Sequence, residues 1–313
     1  MDFIHHWQPR TGLTLGVFLR PLDIRHERYH QWEIRYGKEN EHNRLTPRDH
    51  ELLPEERARI VEFYSRNSLE GYRRLTYLML DGDIVHVSPS TTYRVLVTAG
   101  VLTSKVKKPS KKGKGFHQPD APHRHWHIDI TYIKIKGVFY YLILVLDGYS
   151  RYVVAWDLRD RMTEADVETV IQKGAEAFPD AKPRVISDNG SQFIAKEFKV
   201  FMAIVGMTHT TTSPYYPQSN GKLERCNKTI KEFLRTRYLA DVEDGKRLVA
   251  EFISYYNDDR LHSAIGYITP KDNYITPKDK LTGNEQRIFA EREAKLEQAR
   301  ALRKARRQEE RPI

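Results

Sequence analysis

The spacing of apolar positions changes once along the chain, near residue 122. Before it, apolar residues recur every three or four positions. In "LTPRDHELLPEERARIVEFYSRN" (45–67), Ile60, Val61 and Tyr64 form one face of a helix that opens after a proline. A second helix is predicted over 70–80. A third starts near "SPST" (88–91), with Ser88 placed to cap it and Pro89 at its first position. Tyr93, Val95, Leu96 and Val97 give that helix an apolar side. Ahead of them, residues 1–50 predict a short helix with Ile24, Tyr29 and Trp32 packed. After residue 122 the period falls to two. "HWHIDITYIKI" (125–135) alternates, "FYYLILVLD" (139–147) is continuously apolar, and "RYVVAWDL" (151–158) follows. The joints, Lys136-Gly137 and Asp147-Gly148-Tyr149-Ser150, are short turns, so the three strands predict an antiparallel meander.

Helix and strand alternate from there. A helix is predicted over 164–178, a strand over 184–188, a helix over 191–206 and a short strand over 207–212. Helices over 219–239 and 245–259 close the series. This order predicts an α/β domain: a ribonuclease H-like mixed five-stranded sheet with flanking helices, preceded by a small helical region. The helices before the sheet fit either a helix-turn-helix DNA reader or an ordinary helical bundle. The predicted divisions are an N-terminal helical segment (1–50), a helix-turn-helix DNA-binding region (51–104), a basic linker (105–121), the sheet domain (122–275) and a basic helical tail (276–313). The fold hosts many functions and does not choose among them.

Charge narrows the choice. The 313 residues carry a formal net charge of +10, from 52 basic and 42 acidic side chains, which favours a polyanionic partner. The linker holds Lys107, Lys108, Lys111 and Lys112 among other lysines with no acid between them. It reads as a solvated hinge, a basic strap on phosphates, or both. The single cysteine, Cys226, excludes a disulfide within the chain and a thiolate-rich zinc site. The first residues lack a signal-peptide core and no apolar run reaches membrane-spanning length. An intracellular, reduced protein with no membrane association is expected.

Three acids then stand out. Asp129 interrupts the first strand on the face opposite Ile128 and Ile130. Asp188 ends the strand "RVIS", before the turn residues Asn189 and Gly190. Glu224 lies beside the apolar stripe Leu223, Cys226, Ile230 and Phe233, with Lys228 and Lys231 on its own face. Singly, each has an ordinary explanation: an ion-paired strand acid, a surface turn, a solvated helix acid. Brought together by the sheet, they repel one another unless a cation intervenes. Hard oxygen donors suit Mg²⁺, and two such ions about 3.5–4 Å apart drive phosphodiester chemistry.

The residues around these acids resemble the retroviral-integrase superfamily and, within it, the IS3 family of insertion-sequence transposases. The matching stretches are "WHIDITYI" (126–133), "DGYSRYVVAW" (147–156), "SDNGSQF" (187–193), "SPYYPQSNGKLERCNKTIK" (213–231) and "YYNDDRLHSAIGYITPKD" (255–272). Asp188 and Glu224 enclose 35 residues, the family spacing. The resemblance implies that Asp129, Asp188 and Glu224 are catalytic and hold two Mg²⁺ ions, with Mn²⁺ able to substitute. It implies 3′-end cleavage at the terminal inverted repeats of a mobile element, followed by strand transfer. The implied partners are double-stranded DNA, both element end and target, further copies of the chain on that DNA, and a transposase partner from an upstream reading frame. The implied setting is the bacterial cytoplasm, on the nucleoid. Two rivals remain: a ribonuclease H-like nuclease without strand transfer, and a transposase-derived DNA-binding protein without activity.

Other residues receive weaker assignments. Lys222, Lys228, Lys231, Tyr215 and Tyr216 are candidate DNA contacts, the tyrosines by stacking on an unpaired base. Tyr215 and Tyr216 equally fit packing within their loop, and Lys228 and Lys231 fit solvated lysines. The segment "PYYPQSNG" (214–221) is suited to closing over DNA, with Ser219 or Asn220 capping the next helix. His127 and Asn189 are expected to stand behind the acids, His127 by contacting DNA or hydrogen-bonding an acid. Arg260 is expected to be structural. The tail, with eight Lys or Arg against five Glu over 291–313, is either laid on DNA or frayed.

Overall fold

The structure is a computed structural model that describes residues 1–37, 51–68, 70–102, 118–211, 221–274 and 281–309. It divides into two compact units, residues 1–52 with 302–313, and residues 53–301. Among the described residues no helix is long and apolar enough to cross a membrane.

In the first unit, α1 (Asp2–Thr11), α2 (Leu15–Leu19) and α3 (His26–Arg35) gather around Ile4, Leu19 and Tyr29. Ile24 packs there as expected. Trp32 does not: it is 41% exposed, with the Arg28 guanidinium over its ring. Tyr29 and Trp32 share a helix face, but the small core is filled by Tyr29 together with Leu15, Phe18 and Ile24.

The second unit opens with α4 (Pro54–Arg66), α5 (Tyr72–Asp81) and α6 (Pro89–Thr98). Ser88 caps α6 through Thr91 N–H, and Pro89 occupies the first helical position. The buried side of α6 is Thr92 and Leu96, with the Thr92 hydroxyl bonded to that of Thr76 on α5. The expected tail is α13 (Leu281–Glu309). Two of its cations are already engaged. Arg292 makes a forked pair with Asp81 at 2.8 and 2.6 Å and lies over the Tyr77 ring, while Lys295 pairs with Asp83. This part of the helix is fastened to the end of α5 and is not frayed, because the buried Arg292 guanidinium there needs a carboxylate.

The sheet comprises β1 (His125–Ile135), β2 (Val138–Asp147), β3 (Val153–Arg159), β4 (Arg184–Ser187) and β5 (Thr208–Thr211), in the order β3-β2-β1-β4-β5. The meander pairs antiparallel; β1–β4 and β4–β5 pair parallel. This is the ribonuclease H-like architecture. The apolar run in β2 has a simple cause: Leu142, Leu144 and Leu146 face one core, Ile143 and Val145 the other. The first core is closed by α10 (Gly221–Arg235) and α11 (Val242–Asp258), and the second by α7 (Glu164–Ala177), α8 (Ser191–Ile194) and α9 (Lys196–Ile204). The short α12 (Pro270–Tyr274) follows α11.

The single helix expected over 191–206 is broken at Ala195, which is extended. Phe193 and Phe198, five positions apart, would diverge on one helix; the break lets both enter the core at 0% exposure. Each burial contributes about 2 kcal/mol. Edge strand β3 is closed by α11: Asn257 accepts from Val153 N–H at 2.8 Å and donates to Val153 C=O at 3.1 Å, both in the interior. Replacing it with leucine leaves both backbone groups unpaired. Asn257→Leu is expected to lower the unfolding free energy by about 2–4 kcal/mol in a denaturant titration; an unchanged midpoint would show that this bond pair is dispensable.

Candidate active site

Parallel pairing joins β1 to β4. His127 lies opposite Ile186, the last pair of the β1–β4 ladder. Asp188 follows directly on the last residue of β4, one position past Ser187, and its charge acts on the Asp129 carboxyl of the neighbouring β1. Glu224 arrives from the first turn of α10, whose buried stripe of Leu223, Cys226, Ile230 and Leu234 lies on the same face of the sheet as Asp129. Asp129, Thr131, Glu224, Asn227, Lys228 and Lys231 line one open cleft of about 460 Å³.

Electrostatics show that the acids act on one another. Burial, then the charge of Asp188, and less strongly that of Glu224, push the Asp129 carboxyl up to about 6. Only hydrogen bonds pull it back, from the backbone of Ile130 and from the Asn227 side chain, whose Nδ2 donates to Asp129 Oδ2 at 2.8 Å. Among the described residues no three His, Cys, Asp or Glu side chains close into a metal-holding group. The chemistry of the donors nevertheless fits a hard divalent cation. Asp129 has no cationic partner among the described residues, and beside it the buried Asn227 Oδ1 lacks a hydrogen-bond partner there.

Asn227 is the residue that the sequence reading missed. Its signal was present: a polar side chain inside the stripe Leu223, Cys226, Ile230, buried to 6% exposure. It takes the place expected of His127. The His127 imidazole is fully buried, and neither ring nitrogen has a hydrogen-bond partner among the described residues. It lies against Gly148, where an added Cβ would fall 2.9 Å from Nε2. Burial and the charges of Lys222, Arg151 and His125 push it down to about 3, so it is neutral. It neither reaches DNA nor bonds Asp129, because the β2–β3 turn covers it.

That turn is built on Asp147, which accepts from His123 N–H, Tyr149 N–H, Ser150 N–H and the Ser150 hydroxyl. Lys222 is directed at the same turn. Its Nζ donates to Gly148 C=O at 2.7 Å, beside an Arg151 bond to the same oxygen, and burial pushes it down to about 7. It therefore fastens the start of α10 and does not line the cleft with Glu224. Lys228 and Lys231 do line it. Asn189 is exposed after Asp188. Gly190 is not there for a left-handed backbone: its φ is −57°, and an added Cβ would displace the Gln192 amide, 2.6 Å away, and crowd Asp188 Oδ1 at 3.1 Å. Arg260 is structural, bonded to His262 and largely buried. Burial pushes the Cys226 thiol up to about 12, which leaves it inert. Tyr215, Tyr216, Ser219, Asn220, Lys107, Lys108, Lys111 and Lys112 lie outside the described residues.

Two integrase core domain families match the chain, over residues 119–217 and 205–270, together spanning all three acids. An insertion element IS136 protein of Agrobacterium fabrum is 32% identical over 142 residues, covering 42% of this chain and 71% of that protein. The transposase for insertion sequence element IS904 of Lactococcus lactis is 28% identical over 180 residues, 54% of this chain and 71% of that one. Among solved structures, the HTLV-2 integrase catalytic core domain in complex with magnesium is 23% identical, with a TM-score of 0.40, covering 49% of this chain and 96% of that one. The chain belongs to the integrase-core superfamily shared by insertion-element transposases and retroviral integrases.

The Asp129 environment has a measurable consequence. Its folded pKa lies above the unfolded value, so the folded state holds the extra proton between about pH 4 and 6. The associated stability is present below pH 4 and is lost as pH rises through 6. In divalent-free buffer at pH 7.5, Asp129→Asn is expected to stabilise the protein by about 2–3 kcal/mol, and the gain is expected to vanish toward pH 4. A variant no more stable than wild type at pH 7.5 would show that burial and the neighbouring charges do not raise the Asp129 carboxyl.

Proposed function

We propose that this chain is an insertion-sequence transposase of the IS3 type that cuts and joins DNA with Asp129, Asp188 and Glu224. The observation that carries this reading is the cleft that Asp129 and Glu224 line together, where the charges of Asp188 and Glu224 both act on the Asp129 carboxyl. The printed name of the Lactococcus relative, a transposase, agrees with it.

In this reading the three carboxylates hold two Mg²⁺ ions. The ions, when bound, supply the Lewis-acid chemistry that phosphodiester attack requires. The chain's own residues do the remaining work. Asn227 holds the Asp129 carboxylate in orientation through its 2.8 Å bond. Lys228 and Lys231, three residues apart on the cleft face of α10, offer ammonium groups to the oxygens of the reacting phosphate. Lys222 fixes the first turn of α10 to the β2–β3 turn and so sets where Glu224 stands. The helices α4–α6 read the terminal inverted repeats. Two element ends must meet, so the active form is a multimer on DNA, working with an upstream-frame partner in the bacterial cytoplasm.

The test uses a labelled element end with Mg²⁺. Asp188→Asn is expected to keep DNA binding while nicking and joining both fall by roughly a thousandfold. Cutting by Asp188→Asn at the wild-type rate would sink the assignment. Wild-type hydrolysis that never joins a pre-cut 3′ end to target would make the chain a nuclease instead.

A further inference from the structure

Beyond the acids the cleft does not end. It continues into a groove of about 490 Å³, with Lys231 and Arg235 lining both. One wall is β1. Its ladder to β4 stops at His127, so among the described residues no strand covers that edge from Ile128 to Ile135. Tyr132, Ile133 and Lys134 all line the groove. Adjacent strand residues point to opposite faces, so a groove lined by both sets follows the strand's edge rather than one face of the sheet. The other wall is α10, whose residues 224, 228, 231 and 235 recur at the spacing of one helical face. Together they form a trough roughly 20 Å long.

The trough is polarised. The acids Asp129, Glu224 and Glu232 line the cleft half, where Glu232 pairs with Lys228. In the other half, Lys134, Lys136, Lys231, Arg235 and Arg237 line the groove with no acid among the lining residues. None of the five is ion-paired with a carboxylate among the described residues. Two large aromatic rings beside them are open to solvent, Tyr132 at 51% and Tyr238 at 78% exposure. Tyr132 is backed by Phe139 and Tyr141. Uncompensated cations with exposed rings suit a phosphate backbone bearing bases that stack.

We propose that this trough is a binding site for a single DNA strand, the one that continues from the reacting phosphate. The cations take its phosphates, and Tyr132 and Tyr238 take unpaired bases. The proposal rests on the reading of the acids given above, which places the reacting phosphate at the Asp129 end. An open strand edge also suits a peptide added as a sixth strand. Five cations without an acid favour DNA, since backbone pairing needs no charge.

The test is fluorescence anisotropy with the full chain carrying Asp188→Asn, which reads binding without cutting. The probe is an element-end duplex with a labelled single-stranded extension past the cleavage site. Lys134→Glu/Arg235→Glu is expected to weaken binding at least tenfold and to reduce the slope of log affinity against log salt by about 1.4. Tyr238→Ala is expected to weaken it several-fold and leave the slope unchanged. A probe truncated at the cleavage site should lose most of these differences. Parent-like binding by all variants would overturn the proposal, as would equal losses on the truncated probe. So would variants that change only the protein's self-association, which would assign the edge to strand addition. Thermal unfolding of each variant separates these results from misfolding. A wild-type chain that never cuts DNA would sink the reading of the acids and leave the binding measurement standing.

Discussion

The charges of Asp188 and Glu224 both act on Asp129, inside the central strand, and much of the unusual chemistry of the sheet domain follows from that. Burial first, then the charges of Asp188 and Glu224, push the Asp129 carboxyl up to about 6. A fold selected for stability alone would place an apolar residue there or pair the acid with an arginine. The chain does neither. It supplies one amide, Asn227, which bonds the carboxylate without neutralising it. The arrangement fits the proposed divalent-metal site, because a lysine in that place would compete with the cation.

The surrounding structure keeps other charges out of the way while holding the acids in place. Lys222 is two residues from Glu224, yet it bonds the Gly148 carbonyl with Arg151 beside it. Gly148 can lie there because it has no side chain to strike His127. His127 stays neutral beneath the turn and adds no charge next to Asp129. Asp147 closes the turn with four hydrogen bonds. The family stretch "DGYSR" is thus explained by architecture: it is the anchor on which the first turn of α10 is moored. The cations of the cleft, Lys228 and Lys231, stand further along the helix, where the trough toward Tyr238 begins.

The meander and the pairing of acids with elements could be read from the chain because period-two strands with two-residue and four-residue joints leave few arrangements. Asp129 showed itself as an acid among strand apolars, and Glu224 through the lysines on its face. The direction of a side chain was harder to read. Lys222 and His127 have the right identity and spacing for the cleft, and only the three-dimensional path of the β2–β3 turn turns one aside and buries the other. The break at Ala195 depends on two phenylalanines reaching one core, a tertiary demand that local helix preference does not carry. Arg292 looked like a free basic residue until Asp81, 211 positions away, was brought beside it. Asn227 was visible in principle, as a polar intruder in an apolar stripe.

The most direct measurement is anomalous diffraction from crystals of the chain bound to an element-end DNA and soaked in Mn²⁺. An anomalous peak is expected within ligating distance of the Asp129 carboxylate and of Asp188 or Glu224. Peaks confined to other sites, with the three carboxylates bare beside bound DNA, would contradict the proposed metal site.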